Sequence, residues 1–348
     1  MRRRTLLAAV GLAPCAALAA APPLRVAAAW SDASGELIGV LHAAPAGWRV
    51  AASTVAPTRA HGLVVEPGGS VLAVARRPGD WLLRFDAQTG RVLREHWIEP
   101  DRCFTGHAAL DAAAGRLYTG QTELGSGAGV VGVRDANTLA RLDEWPTHGI
   151  DPHELLLAAP GELFVANGGV PTQAETGRTK RDLDRMDSSL VRLSTRDGRL
   201  VGQWRLDDRR LSLRHLARRG VGIGVALQAE HDDAALRRAA PVLALFDGRS
   251  LRVCASGDSL AGYGGDIAAG DGGWSVSAPR AGAIGRWSPA CEWIGAISLD
   301  EACALAEHRG GCIAGGRAAV VRVGSGAGSR AQPLPAGVRL DNHWLALR

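Results

Sequence analysis

The sequence predicts an all-β chain, folded as a single seven-bladed β-propeller whose first blade is closed by the C-terminal strand. Three observations carry this. A unit of short apolar runs recurs along the chain, opening at His61, His107, His153, His215, Asp266 and Cys303. Turn residues interrupt those runs about every 8–12 residues, which leaves little room for helices of ordinary length. The two chain ends each hold part of one further unit, and the parts are complementary.

The first residues read as an export signal. Arg2, Arg3 and Arg4 precede a short Ala- and Leu-rich stretch, Leu6 to Ala20. Arg3-Arg4-Thr5-Leu6-Leu7 is similar to the twin-arginine signal, a route that carries proteins already folded, often around a cofactor. Ala17 and Ala19 provide small residues for cleavage after Ala19. Residues 1–19 are therefore expected to be removed, and 20–348 to form the propeller in the periplasm. The apolar run is shorter than the roughly 20 residues that a spanning helix needs, and no later segment could span a bilayer. Cys15 suggests a lipoprotein site, but Pro14 before it fits that cleavage pattern badly.

The N-terminal remainder has strands near Arg25–Trp30, Glu36–His42 and Trp48–Thr54, but no opening strand. The clearest complete unit runs from His61 through the apolar pair of strands to Val74, then Trp81–Asp86, the turn Ala87–Gly90, and Arg91–Ile98. It is a four-stranded meander, and repeated meanders at this spacing mean propeller blades. The units opening at His215, Asp266 and Cys303 are more degenerate. Val170–Ser188 is a polar insertion within the unit opening at His153, and its Arg178, Lys180, Arg181 and Arg185 could cover the channel mouth or simply be solvated. His343–Leu347 supplies the strand missing at the N-terminus. A blade shared between both ends closes the ring and removes a free edge.

Composition narrows the function. The formal charge of +5 falls to about +2 once the three signal arginines are gone, and the other basic residues are scattered. No stripe suited to nucleic acid appears. Five cysteines remain after the signal, Cys103, Cys254, Cys291, Cys303 and Cys312, so in an oxidising compartment at least one is unpaired or bound to something.

Aligned on their first position, the seven units present His61, His107, His153, His215, Asp266, Cys303 and His343. Ten histidines in 348 residues would place about 0.2 among seven random positions (7 × 10/348); five are found. The opening strand of a propeller blade is innermost, so these side chains surround one channel mouth. His, Cys and carboxylate are the main protein ligands for transition metals, and an imidazole-rich set favours copper, iron or zinc over calcium or magnesium. Histidines that only bond within their own blades, or that relay protons, are the competing readings. Glu123, Asn167 and His148 are candidates to line the same mouth as ligand-positioning groups. Glu123 and Asn167 end second strands, and His148 lies in the polar run Thr147–Glu154.

Pro146–Leu157, Val165–Gly169, Ser189–Val191 and Asp341–His343 resemble a proteobacterial family of exported seven-bladed propellers filed as a domain of unknown function. The resemblance spans nearly the whole mature chain. Genes of that family tend to lie beside imelysin-type iron-regulated proteins and dihaem oxidoreductases. It therefore implies a role in periplasmic iron or copper handling, with iron-uptake or redox proteins as partners, and it supplies no catalytic residues. Three functions follow: a metal-handling or redox propeller, a non-enzymatic scaffold that docks an iron-uptake partner, and a hydrolase. The last would want more carboxylate at the hub than Asp266 alone. A histidine cluster at a propeller hub resembles the copper site of nitrous-oxide reductase by fold-level analogy.

Overall fold

A computed structural model describes residues 23–171, 182–324 and 331–347. Residues 1–19, expected from the sequence to be a signal, and Arg178, Lys180 and Arg181 of the insertion lie outside the described residues. Among the described residues the strands form seven four-stranded antiparallel sheets arranged in a ring. Strands Arg25–Asp32, Gly35–Ala44 and Gly47–Val55 make blade 1 together with Arg339–Leu347, which lies innermost. Blades 2 to 7 follow in chain order, with inner strands Ala60–Val65, Arg102–Asp111, Pro152–Ala159, Leu211–Arg219, Asp266–Gly270 and Ala304–His308. No helix among the described residues is long and apolar enough to cross a membrane.

The hairpin turns have a local chemical cause. Asp86 Oδ1 accepts from the Gln88 and Thr89 backbone N–H groups at 3.0 and 2.8 Å and from the Thr89 hydroxyl at 2.8 Å. Asp135 makes the same three bonds with Asn137 and Thr138, and Asp247 makes their counterparts with Arg249 and Ser250. Such side-chain-to-backbone bonds fix a turn without help from tertiary contacts. They are the physical content of the repeated Asp-x-x-Thr/Ser text.

Seven hydrophobic cores fill the seven seams between adjacent blades. Side chains of one strand alternate between two of them. Val26, Ala28 and Trp30 enter the seam between blades 1 and 7, whereas Ala27 and Ala29 enter that between blades 1 and 2. Both faces of a blade are buried, so its strands read as continuous apolar runs. Ring closure rests on Arg25–Ala28 pairing with Trp344–Leu347, and on Trp48 stacked on Trp344 with centroids 5.7 Å apart. A disulfide, Cys254–Cys291, ties the outer strand of blade 5 to a turn of blade 6.

The inner strands carry the feature that builds the hub. In five blades the pairing slips where the histidine sits. Two or three residues then face one on the neighbouring strand, between Ala60 and Leu63, Phe104 and Ala108, Pro152 and Leu155, Leu213 and Leu216, and Leu340 and Trp344. A bulge of this kind re-aims a side chain out of the alternation. Asp266 and Ala304 start inner strands in regular register, with no bulge. The crowding leaves no room for side chains nearby. A Cβ on Gly62 would stand 2.4 Å from the Gly106 carbonyl, and one on Gly106 would stand 2.7 Å from the His61 ring. Gly106 also has φ +113°. Gly106→Ala is expected to destabilise the fold by about 2 kcal/mol or more in urea titrations, because strain and clash coincide.

Candidate metal centre

His61, His107, His153, His215 and His343 converge on the channel axis, each between 1% and 8% exposed. Ring centroids lie 4.4 to 6.2 Å apart, from 4.4 Å for His215 and His343, through 4.8 Å for His61 and His107, to 6.2 Å for His61 and His215. One ligand nitrogen from each of His61, His107, His215 and His343 falls within 4.8 Å of the other three. A four-nitrogen site with bonds of about 2.0–2.1 Å needs separations of roughly 3.3 Å if tetrahedral, or up to about 4.1 Å if planar. The rings would draw in by about an ångström. Each of the four also keeps a buried nitrogen without a hydrogen-bond partner: His61 Nδ1, His107 Nε2, His215 Nδ1 and His343 Nε2. Such atoms are rare and costly in protein interiors. Three of these, His107 Nε2, His215 Nδ1 and His343 Nε2, fit a cation; the fourth, His61 Nδ1, lies toward Asp341 at 3.6 Å.

His153 is the fifth ring and stands outside this set. Its Nε2 is 2.9 Å from His215 Nε2, and its Nδ1 is 3.5 Å from Arg214 Nη1. The tautomer decides which ring donates across the His153–His215 contact; a metal on His215 Nδ1 requires the His215 proton on Nε2, donated to His153 Nε2.

Carboxylates support the rings from behind, as is usual where histidine holds a metal. Asp266 Oδ1 lies 3.2 Å from His343 Nδ1, while its two oxygens accept from the Ile267 and Leu305 backbone N–H groups at 2.9 and 2.8 Å. Asp341 Oδ1 lies 3.6 Å from His61 Nδ1, and its other oxygen is paired with Arg59. Asp151, at φ +54°, binds Arg214 at 3.0 Å and Arg77.

These surroundings set the protonation. Burial pulls His61 down to about 3, although Asp341 opposes it. Burial first, then repulsion from neighbouring rings when they are protonated and from nearby arginines, holds His107, His153 and His215 well below 6.5. These rings are neutral at pH 7, the form that ligates metal. Burial opposes charge on His343 too, but Asp266, Glu154 and Asp341 outweigh it and raise its pKa. Burial lifts Glu154 from 4.5 to about 8.

The channel reaches the cluster from two ends. On one side a funnel of about 600 Å³ descends along the inner strands to His107, Glu154, Asp266 and His343. On the other, a cavity of about 20 Å³, room for about one water, lies over His61, His153 and His215, walled by Arg76, Arg77, Gln228, Tyr263 and Asn342.

The other candidates sit elsewhere. Cys303 precedes a regular strand with no bulge; its thiol points to the Gly315 carbonyl at 3.5 Å inside a hydrophobic seam, and burial pushes it up to about 12. Asp266 faces His343 as a supporting group and is outside the four-ring set. Glu123 caps its own turn through Gly125 and Ser126 N–H groups at 2.9 and 2.7 Å and pairs with Arg102 at 3.5 Å. Asn167 donates to the Thr147 carbonyl at 2.9 Å and to Ser189 Oγ at 3.3 Å, holding two segments together. His148 is exposed at φ +55°, and its carbonyl accepts from Gln203. Asp151, Asp341, Arg77, Arg214 and Glu154 are additions. Asp two residues before the histidine in Asp151-Pro152-His153 and Asp341-Asn342-His343 is a repeat signal for the first pair. The arginines arrive from other blades and leave no such trace.

Fold and site together define a class: a seven-bladed β-propeller with a buried histidine cluster at its hub. A family model described as "Protein of unknown function (DUF1513)" matches residues 54–347, and the chain belongs to that family. No curated protein matches it. Among solved structures, the chain is similar to one in the crystal structure of a nidogen/laminin complex. The TM-score is 0.50 at 12% identity, with 80% of this chain and 94% of that chain covered. That likeness concerns the fold alone.

The depressed histidines give acid sensitivity. Below about pH 6.5 the unfolded chain takes up protons that the folded chain refuses, so their stability is intact above 6.5 and is lost as pH falls toward 3. His343 and Glu154 run the other way: the contribution of His343 is present below 6.5 and is lost as pH rises through its raised value, and that of Glu154 is present below 4.5 and is lost as pH rises through about 8. With more groups depressed than raised, Tm of metal-free protein should fall by roughly 10 °C between pH 6.5 and 4. A His61→Asn variant should show a shallower slope across that interval.

Proposed function

We propose that this protein is a periplasmic propeller that binds a copper or iron ion at His61, His107, His215 and His343, for metal handling or redox work. The observation that carries this is the meeting of four buried imidazole nitrogens within 4.8 Å. An all-nitrogen donor set suits copper, iron or zinc and disfavours calcium and magnesium, which take oxygen. Three of the four rings are held neutral without metal, so binding there displaces no proton from them. The proton on His343 must leave, which makes affinity fall as pH drops.

The chain's own part is structural and electrostatic. Asp266 orients His343, and Asp341 stands behind His61. Asp151 holds the guanidinium of Arg214 beside His153. A bound copper or iron ion would supply one-electron chemistry or simple cargo capacity. The export signal and the Cys254–Cys291 disulfide support an oxidising compartment.

Elemental analysis of protein recovered from the periplasm tests this. Copper or iron near one equivalent per chain is expected, falling at least tenfold in a His107→Ala/His215→Ala variant that keeps its β-sheet circular dichroism. Trace metal in both preparations, unchanged after dialysis against each metal, would end the metal reading.

A further inference from the structure

We propose a second ligand site, for a small organic carboxylate, in the cavity of about 710 Å³ that lies over blades 1, 6 and 7. The site needs no metal and stands or falls separately from the metal reading above.

Charge sets the sign of the occupant. Arg280, Arg317 and Arg339 line the cavity against one carboxylate, Glu301. Arg317 is already engaged, by Glu301 and by Asp300 at 3.0 Å. Arg280 and Arg339 make no ion pair or hydrogen bond among the described residues. Arg280 is nonetheless held in place, with its guanidinium 4.0 Å over the Tyr263 ring. A guanidinium held by its face keeps its N–H edge open to an acceptor.

The rest of the wall asks for carbon. Pro279, Val338 and Leu340 are its apolar part, and the last two also belong to the core between blades 1 and 7. Inorganic phosphate or sulfate would leave that surface facing water. A carboxylate on a carbon skeleton meets both demands: it pairs with a guanidinium through two parallel hydrogen bonds, and its skeleton covers the apolar wall. The volume falls within the roughly 300–1,000 Å³ of small-molecule sites. With Arg280 and Arg339 both open, a molecule bearing two carboxylates fits best.

The occupant lies beside the hub. Asn342 lines both this cavity and the one of about 20 Å³ over His61, His153 and His215, and it stands between Asp341 and His343 in the chain. Its backbone N–H donates to Asp341 at 2.6 Å. Its side-chain amide has no hydrogen-bond partner among the described residues, so it is open to donate to a carboxylate oxygen. Tyr263 links the two cavities a second time, walling the smaller one while it carries Arg280. Charge, apolar wall and an open amide thus meet in one place, next to the histidine cluster.

Isothermal titration of metal-free protein with adipate and with inorganic phosphate tests this. Adipate carries two carboxylates on a short hydrocarbon chain. It should bind saturably, and phosphate roughly tenfold more weakly, for want of a skeleton to cover the apolar wall. Arg280→Ala and Arg339→Ala, both at exposed positions, should each weaken adipate about tenfold. Arg280→Lys should weaken it about threefold, because lysine keeps the charge and loses the fork. Arg309→Ala, in the turn between the first two strands of blade 7 at the other end of the channel, should leave the affinity unchanged. Phosphate binding as tightly as adipate would overturn the organic class. Unchanged adipate affinity in both alanine variants, or no adipate binding by the wild-type protein, would overturn the site. Because the titrated protein holds no metal, either failure leaves the metal reading standing, and trace metal in the elemental analysis leaves this site standing in turn.

Discussion

The hub depends on a slip in strand pairing. A propeller strand buried on both faces sends its side chains into the seams and shows the channel only backbone. Five inner strands break that rule at one residue each, by setting two or three residues against one. Each bulge turns a histidine toward the axis. Gly62 and Gly106 make room for the crowding that results.

Burying five imidazoles at one point is expensive unless their polar atoms are met. The surrounding shell meets part of that demand. Two aspartates back His61 and His343, and Asp151 with Arg214 fixes His153. Burial, with a smaller contribution from nearby arginines, holds His61, His107, His153 and His215 neutral. What remains is a set of four rings that can bring one nitrogen each within 4.8 Å of the others, with His107 Nε2, His215 Nδ1 and His343 Nε2 buried and without a hydrogen-bond partner. The polar network is complete on its outside and incomplete at its centre, which is the arrangement expected of a ligand site and not of a structural ring.

Much of this was legible in the sequence. Seven blades, the shared first blade and the histidines at the strand openings follow from repeat spacing, turn chemistry and one alignment. The degree of convergence did not follow. Cys303 and Asp266 align with the histidines as text, yet their strands carry no bulge, and a bulge is a property of pairing that a single strand's sequence does not record. Glu123 and His148 look like site residues because they are polar and near the right strand ends, but each is used by or exposed at its own turn. The charged shell was hidden for a different reason. Arg77 and Asp151 lie 74 positions apart, and Arg214 and Asp151 lie 63 apart, so only the closed ring brings them together. The same holds for the cysteine pairing, where Cys254 and Cys291 meet across two blades.

X-ray absorption at the metal edge of copper- or iron-loaded protein bears most directly on the central claim, that bulged inner strands deliver their histidines to one ion. The expected first shell contains at least three imidazole nitrogens at about 2.0–2.1 Å, with the multiple-scattering pattern of ring carbons behind them. A shell made of oxygen alone, or one containing sulfur from Cys303, would contradict it.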